Sequence, residues 1–185
     1  MKRLIPAILT VLILAAVPFS CSKDKDSSAE ANQEKNIAAL VESILSSVEG
    51  SYVVYQDGVT RVVVTPGDPS DSLSDDGSAT VYYAGYTLPG STLSTANLFV
   101  TNYKEFAEEV SWSVSDSTVF QSVVLSPSDK NLLPGLRRGL PGVHRGEESV
   151  ILFTSKYGFG GSRNGTINAH SALAYQIWVQ AVNKE

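Results

Sequence analysis

The sequence predicts an α+β domain built mainly on an antiparallel sheet. Three observations carry this. Stretches of alternating or continuous apolar residues recur from Tyr52 to Val182. Asp57-Gly58, a strong signal for a tight hairpin, separates the first two of them. One longer stretch, before Tyr52, instead repeats its apolar residues every three or four positions. The 185 residues leave room for one such domain and a targeting segment. With 43% hydrophobic and 18% charged residues, most of the chain has the composition of a folded protein.

The first element in chain order is an address. Lys2 and Arg3 precede the apolar run LIPAILTVLILAAVPF. A basic start and a run of this kind predict a secretory signal over residues 1–20. The run is interrupted by Pro6 and short for a membrane span, which needs about 20 residues; an uncleaved anchor helix is the alternative. Cys21 is the single cysteine, so no internal disulfide is available. The stretch VPFSC resembles the cleavage box of bacterial lipoproteins, although Pro18 and Phe19 replace the usual aliphatic and small residues. That resemblance implies a lipid on Cys21 and a place in the bacterial cell envelope, anchored to a membrane on the periplasmic side or at the surface. Buried acyl CH₂ groups, at about 0.8 kcal/mol each, would supply the anchor.

SKDKDSSAEANQEK follows, and residues 21–35 read as a solvated, flexible tether. Its Lys-Asp pattern also resembles retention or surface-export signals of some Gram-negative lipoproteins. The formal net charge is −5, and removing Lys2 and Arg3 makes it more negative. A nucleic-acid partner, which needs a basic surface, is not expected.

Residues 36–50 predict an amphipathic helix. Asn36 can cap it, Ile37, Leu40, Val41, Ile44, Leu45 and Val48 form one stripe, and Gly50 can stop it. So short a helix is not stable alone. Its stripe must pack on the domain, where Tyr82, Tyr86 and Trp178 need cover, or on a second copy, giving a homodimer through residues 36–49.

The sheet domain is expected over residues 51–185. YVVYQ and VTRVVVT form the hairpin around Asp57-Gly58. Residues 66–78 are a loop by composition. ATVYYAGYTL alternates, with Ala79, Val81, Tyr83 and Gly85 on one face and Thr80, Tyr82, Ala84 and Tyr86 on the other. Tyr103, Phe106, Ala107 and Val110 predict a short helix, and STVFQSVVLS a strand. SVILFT is apolar on both faces, as in a central, covered strand. SALAYQIWVQAV alternates, with Leu173, Tyr175, Ile177 and Val179 together.

Familiar chemistry is missing. His144 and His170, the only histidines, have no metal-ligand spacing around them and read as turn and loop residues. GFGGSRNG is neither a P-loop nor a dinucleotide fingerprint, and no Gly-x-Ser-x-Gly elbow occurs. No metal and no cofactor are expected.

The stretch LLPGLRRGLPGVHRGEESVILFTSKYGFGG, with TINAHSALAYQIWV after it, resembles the C-terminal half of FKBP-type peptidyl-prolyl isomerases. That family shows a Val-Ile-x-Gly-Trp turn into a short helix, a Gly-Met-x-x-Gly-Glu turn, a strand, an Ala-Tyr-Gly loop and a final strand. VYYAGYTL resembles its Val-His-Tyr-Thr-Gly strand and LFVTN its Phe-Asp-Ser-Ser element. The pieces occur in the family's order over roughly residues 52–182. The resemblance implies an FKBP-like fold, a curved antiparallel sheet wrapped around a short helix, with a shallow apolar bowl that isomerises X-Pro bonds of proline-containing polypeptides. It implies Tyr83 and Phe99 on the floor, Leu132 and Leu133 at the rim with the Leu133 N–H holding a substrate carbonyl, and Leu136 in place of the family's Trp. It further implies Tyr157 donating its hydroxyl, and Ile167 and Tyr175 closing the far side. Val100 departs from the family's Asp, and Asn168-Ala169 from Pro-Pro. These departures motivate a second expectation, a weak or non-catalytic peptide-binding lipoprotein on the same fold.

Overall fold

Asp57 and Gly58 adopt φ of 47° and 81°, the left-handed pair that a two-residue hairpin turn requires. The turn joins β1 (Tyr52–Gln56) to β2 (Val59–Thr65) in antiparallel register, Gln56 opposite Val59. The computed structural model describes residues 22–184 apart from Ser115. The expected signal over 1–20 and the expected lipid site Cys21 lie outside the described residues. Among the described residues no helix is long and apolar enough to cross a membrane.

The remaining strands are β3 (Ser78–Thr87), β4 (Leu98–Thr101), β5 (Val123–Leu125), β6 (Glu148–Phe153) and β7 (Leu173–Asn183). They form one antiparallel sheet in the order β1-β2-β6-β7-β3-β4. β4 and β5 both pair with β3, β4 at Ala84–Tyr86 and β5 at Ala79–Val81. Register shifts at Thr80/Val81 and Gly85/Tyr86 bend β3, and bulges of this kind curve a sheet. The expected strand over STVFQSVVLS is realised only as β5. Its first part is a 3-10 turn, Ser117–Val119, capped by the Asp116 side chain on the Thr118 N–H.

Three helices complete the fold: α1 (Ser22–Ser47), α2 (Lys104–Glu109) and α3 (Pro134–Gly139). The architecture is the expected α+β one, a sheet curved around a short helix. Val59, Val81, Ile151, Phe153, Leu173, Ile177 and Val179 bury the concave face against Leu136 and Leu140 at α3. β6 is covered on both sides, because Val150 and Leu152 belong to the opposite cluster.

That opposite cluster corrects two expectations. The helix begins at Ser22 and not at Asn36, so residues 22–35, expected to be a flexible tether, are helical. The reason is a polar anchor. Gln33 is buried, accepts from the Ser155 N–H at 2.8 Å and donates to the His170 carbonyl at 2.8 Å. Asn36 does not cap; its amide donates to the Pro89 carbonyl. Ile37, Leu40 and Val41 pack with Tyr86, Ala84 and Leu152, whereas Leu45 is exposed. The stripe therefore covers Tyr86 within the chain. Tyr82 and Trp178 are covered instead from α2, Tyr103 lying 4.8 Å from Tyr82 and 4.9 Å from Trp178 between ring centroids.

One buried ion pair lies in the concave layer. Arg61 of β2 donates to Glu147 at 2.9 Å with both side chains almost wholly enclosed. The other Glu147 oxygen accepts the His144 N–H at 3.0 Å and lies 3.3 Å from His144 Nδ1. His144 is thus a turn residue held by a buried carboxylate.

Candidate functional site

Leu133 precedes Pro134, and a residue before proline is pushed into an extended conformation. Its φ of −50° and ψ of 135° fit, and Pro134 opens α3 at its first turn. The helix lies close on the sheet because two of its positions have no side chain. A Cβ on Gly135 would overlap the Phe153 ring, and one on Gly139 would overlap Ile151. Leu132, in the turn closed on Asp129, and the extended Leu133 are thereby set at the mouth of a bowl of about 360 Å³. Leu136 forms part of its surface, with Tyr83, Tyr175 and Ile177 from the sheet.

The bowl is apolar with a few placed polar groups, the usual make-up of a ligand site. Leu132 N–H donates to Asp129, and the Leu133 carbonyl accepts from Arg137. The Leu133 N–H has no acceptor among the described residues. The Tyr83 and Tyr175 rings lie 6.1 Å apart, and neither hydroxyl has a hydrogen-bond partner among the described residues. Burial pushes the Tyr83 phenol above its ordinary pKa. Burial, and then the neighbouring Tyr83, push Tyr175 up further. Both stay neutral O–H donors at physiological pH.

The structure brings together Tyr83, Leu132, Leu133, Leu136 and Tyr175 on the bowl. Phe99 supports Tyr175 edge-on at 6.0 Å, and Ile167 is buried in the same apolar cluster without lining the bowl. Tyr157 is a correction. Thr154 leads into a single 3-10 turn, Ser155–Tyr157, which turns the Tyr157 ring toward the hairpin. There Arg138 Cζ sits 4.7 Å and Lys156 Nζ 5.4 Å from its centroid, and its hydroxyl abuts Gly58. The residue of this loop that lines the bowl is Phe159, which has no hydroxyl to donate.

Sequence reasoning also missed Val123, Leu125 and Asn131, which line the bowl, and Asn102, which positions it. Asn102 is buried; its Oδ1 accepts the Tyr83 N–H at 2.6 Å and its Nδ2 donates to the Gln121 carbonyl at 2.8 Å. Thr101 donates to the Tyr83 carbonyl at 2.8 Å. Val123 and Leu125, two apart in VVL, carried a readable signal, because alternate residues of a strand share a face. Asn102 carried none. Val100 lines the bowl, so an apolar side chain occupies the site of the family's Asp. A larger groove of about 830 Å³ lies between the hairpin tip and α3. Asp57, Asp75, Asp76, Arg137 and Arg138 line it together with Tyr55, Pro127, Pro134 and Pro141, so its wall is more polar and charged than that of the bowl.

The model of the FKBP-type peptidyl-prolyl cis-trans isomerase family matches residues 75–180, more than half of the sequence. The chain belongs to the FKBP family. Solved structures agree on the fold. The FKBP chain is similar to the three FKBP domains of wheat FKBP73 at TM-score 0.58 and 13% identity, over 73% of this chain and 52% of that one. It is similar to a peptidyl-prolyl cis-trans isomerase from Pseudomonas syringae pv. tomato at TM-score 0.57 and 16% identity, covering 85% of this chain and 96% of that one. Escherichia coli FkpA gives 0.55 and 17%, over 88% of this chain and 64% of that one. The chain therefore spans about half of the wheat chain and under two thirds of FkpA. No curated protein matches the sequence.

Proposed function

We propose that this FKBP is a peptidyl-prolyl cis-trans isomerase that acts on X-Pro bonds of exported polypeptides in the bacterial cell envelope, tethered by a lipid on Cys21. The observation that carries the reading is the bowl itself: an apolar hollow ringed by the open Leu133 N–H and two neutral phenols.

The chemistry needs no nucleophile. An amide resists rotation because resonance is lost in the twisted form, a barrier of about 18–20 kcal/mol. The planar amide is more dipolar than the twisted one, so transfer from water to an apolar bowl favours the twist. Donors that hold the flanking carbonyls fix the chain on either side of the rotating bond. Only a preference for the twisted form over both planar isomers accelerates the reaction, and a hundredfold acceleration needs about 2.7 kcal/mol of it.

A proline-limited refolding reaction tests the activity. An unchanged rate, with Leu133→Asp behaving like the parent, would sink the reading. Val100 and Phe159 favour a second reading, a bowl that binds peptides and isomerises them weakly, since each removes a polar group. Calorimetry with a proline peptide beside the kinetic assay separates the two: binding without acceleration supports the second. Fatty-acid labelling of the full chain against Cys21→Ser tests the anchor. A homodimer through residues 36–49 would have to use the outer side of α1 with Leu45, so loss of a dimer in Leu45→Glu, read by sedimentation, tests that partner.

A further inference from the structure

Gln33 of α1 completes a closed circuit of hydrogen bonds in the loop after β6. Its Oε1 accepts the Ser155 N–H at 2.8 Å. The Ser155 carbonyl accepts the Gly160 N–H at 2.8 Å, and the Gly160 carbonyl accepts the His170 N–H at 2.7 Å. The His170 carbonyl accepts from Gln33 Nε2 at 2.8 Å and closes the path. Gln33 supplies the side chain of this circuit; Ser155, Gly160 and His170 enter it through their peptide groups. Phe159 stands within it. The Ser155 carbonyl also accepts the Gly158 N–H at 3.0 Å, so the glycines on both sides of Phe159 hang from one oxygen. The loop beyond Phe159 has few other anchors: from Gly161 to His170 every residue but Ile167 is exposed. His170 is held at a φ of 56°, a left-handed conformation that persists in a non-glycine residue only where its surroundings enforce it.

We propose that Gln33 is a positioning residue for the bowl: by closing this circuit it keeps Phe159 in the bowl's wall, so that affinity for a proline peptide depends on a side chain of α1. The inference rests on the bowl being the place where such peptides bind. Gln33 does not line the bowl, and α1 packs on the opposite face of the sheet, so its action runs through the loop and not through contact. Each bond of a closed circuit polarises the next, and the group is lost together. Without the Gln33 amide, the buried Ser155 N–H loses its acceptor and the left-handed His170 loses a bond that retains it. The loop then visits other conformations, and Phe159 leaves the wall for part of the time. Apparent affinity falls with the fraction of chains whose wall is complete. Asn36 is the natural control. It too ties α1 to a backbone carbonyl, that of Pro89, which is outside the circuit.

The Phe159 ring signals of the full chain are followed by NMR without substrate, and the affinity for a proline peptide is then measured by calorimetry beside kcat and KM. Gln33→Leu, which removes both hydrogen-bonding groups, is expected to shift and broaden the Phe159 signals. Peptide affinity falls about fivefold and KM rises alike, with kcat within about twofold, because the wall serves the planar and the twisted amide equally. Asn36→Ala changes none of these. In a Phe159→Ala chain Gln33→Leu has no further effect on affinity, because the two residues act in one line. Gln33→Glu keeps the acceptor and loses the donor to His170; it repeats the result and decides the matter if Gln33→Leu does not fold. Unmoved Phe159 signals, unchanged affinity, an equal loss in Asn36→Ala, or additive losses in the double variant would each overturn the inference. A parent chain that binds the peptide without speeding its isomerisation sinks the isomerase reading alone, and the ring signals and affinities still decide the role of Gln33. A parent that binds no proline peptide overturns both.

Discussion

Tyr83 and Tyr175 stand side by side in the bowl, 6.1 Å between ring centroids, with no hydrogen-bond partner for either hydroxyl among the described residues. If these phenols hold substrate carbonyls, each is a hydrogen bond worth about 1 kcal/mol. Tyr175→Phe and Tyr83→Phe are each expected to lower kcat/KM for a proline peptide about fivefold, and the pair more than tenfold. Tyr157→Phe is expected to leave it unchanged, since that ring lies against Arg138 and Gly58. A protease-free isomerisation assay on all four proteins measures this.

Gly135 leaves no space for a methyl group, because a Cβ would overlap the Phe153 ring. Gly135→Ala gains helix propensity of about 1 kcal/mol but overpacks the core by about 1–3 kcal/mol. The net expectation is destabilisation, seen as a lower urea midpoint with unchanged slope, and Phe153→Leu in the same chain should recover part of it.

Arg61 and Glu147 are enclosed together, so removing one strands the other. Arg61→Met is expected to cost about 3–5 kcal/mol, whereas Arg61→Met with Glu147→Gln should cost much less. Urea unfolding of the two variants gives the comparison. Desolvation holds the Arg61 guanidinium below its ordinary pKa, and Glu147 opposes that shift.

Alkaline pH acts through the buried phenols. Burial pushes Tyr86 up to about 12, while an unfolded tyrosine titrates near about pH 10. Between these values the folded chain holds the proton and the unfolded chain has lost it. Stability is therefore full below about pH 10 and falls as pH rises toward the folded value. Urea midpoints across that window should decline, and Tyr86→Phe should flatten the decline.

Much of this design was legible in the residues. Asp57-Gly58 announced its hairpin, and the alternation of Leu173, Tyr175, Ile177 and Val179 announced the concave face. The family resemblance of LLPGLRRG implied Leu132 and Leu133 at the bowl's rim, and both line it. What stayed hidden depended on long-range polar contacts. Gln33 turns a polar segment into a docked helix through partners 122 and 137 positions away. Asn102 fixes Tyr83 by a bond that no local pattern encodes. Tyr157 and Phe159 differ by two positions, and only the 3-10 turn before Gly158 decides which of them meets the bowl.

Gln33 also has a mechanical meaning. It grips Ser155, at the start of the turn that leads to Phe159, and His170, whose N–H donates to the Gly160 carbonyl. Tension applied upstream of α1 would load the contacts of Glu30 with Thr154 and Lys156, and then the two hydrogen bonds of Gln33, before it strained any strand. A leash fastened to a surface would thus end at the wall of the bowl, making force a variable to which that wall is exposed.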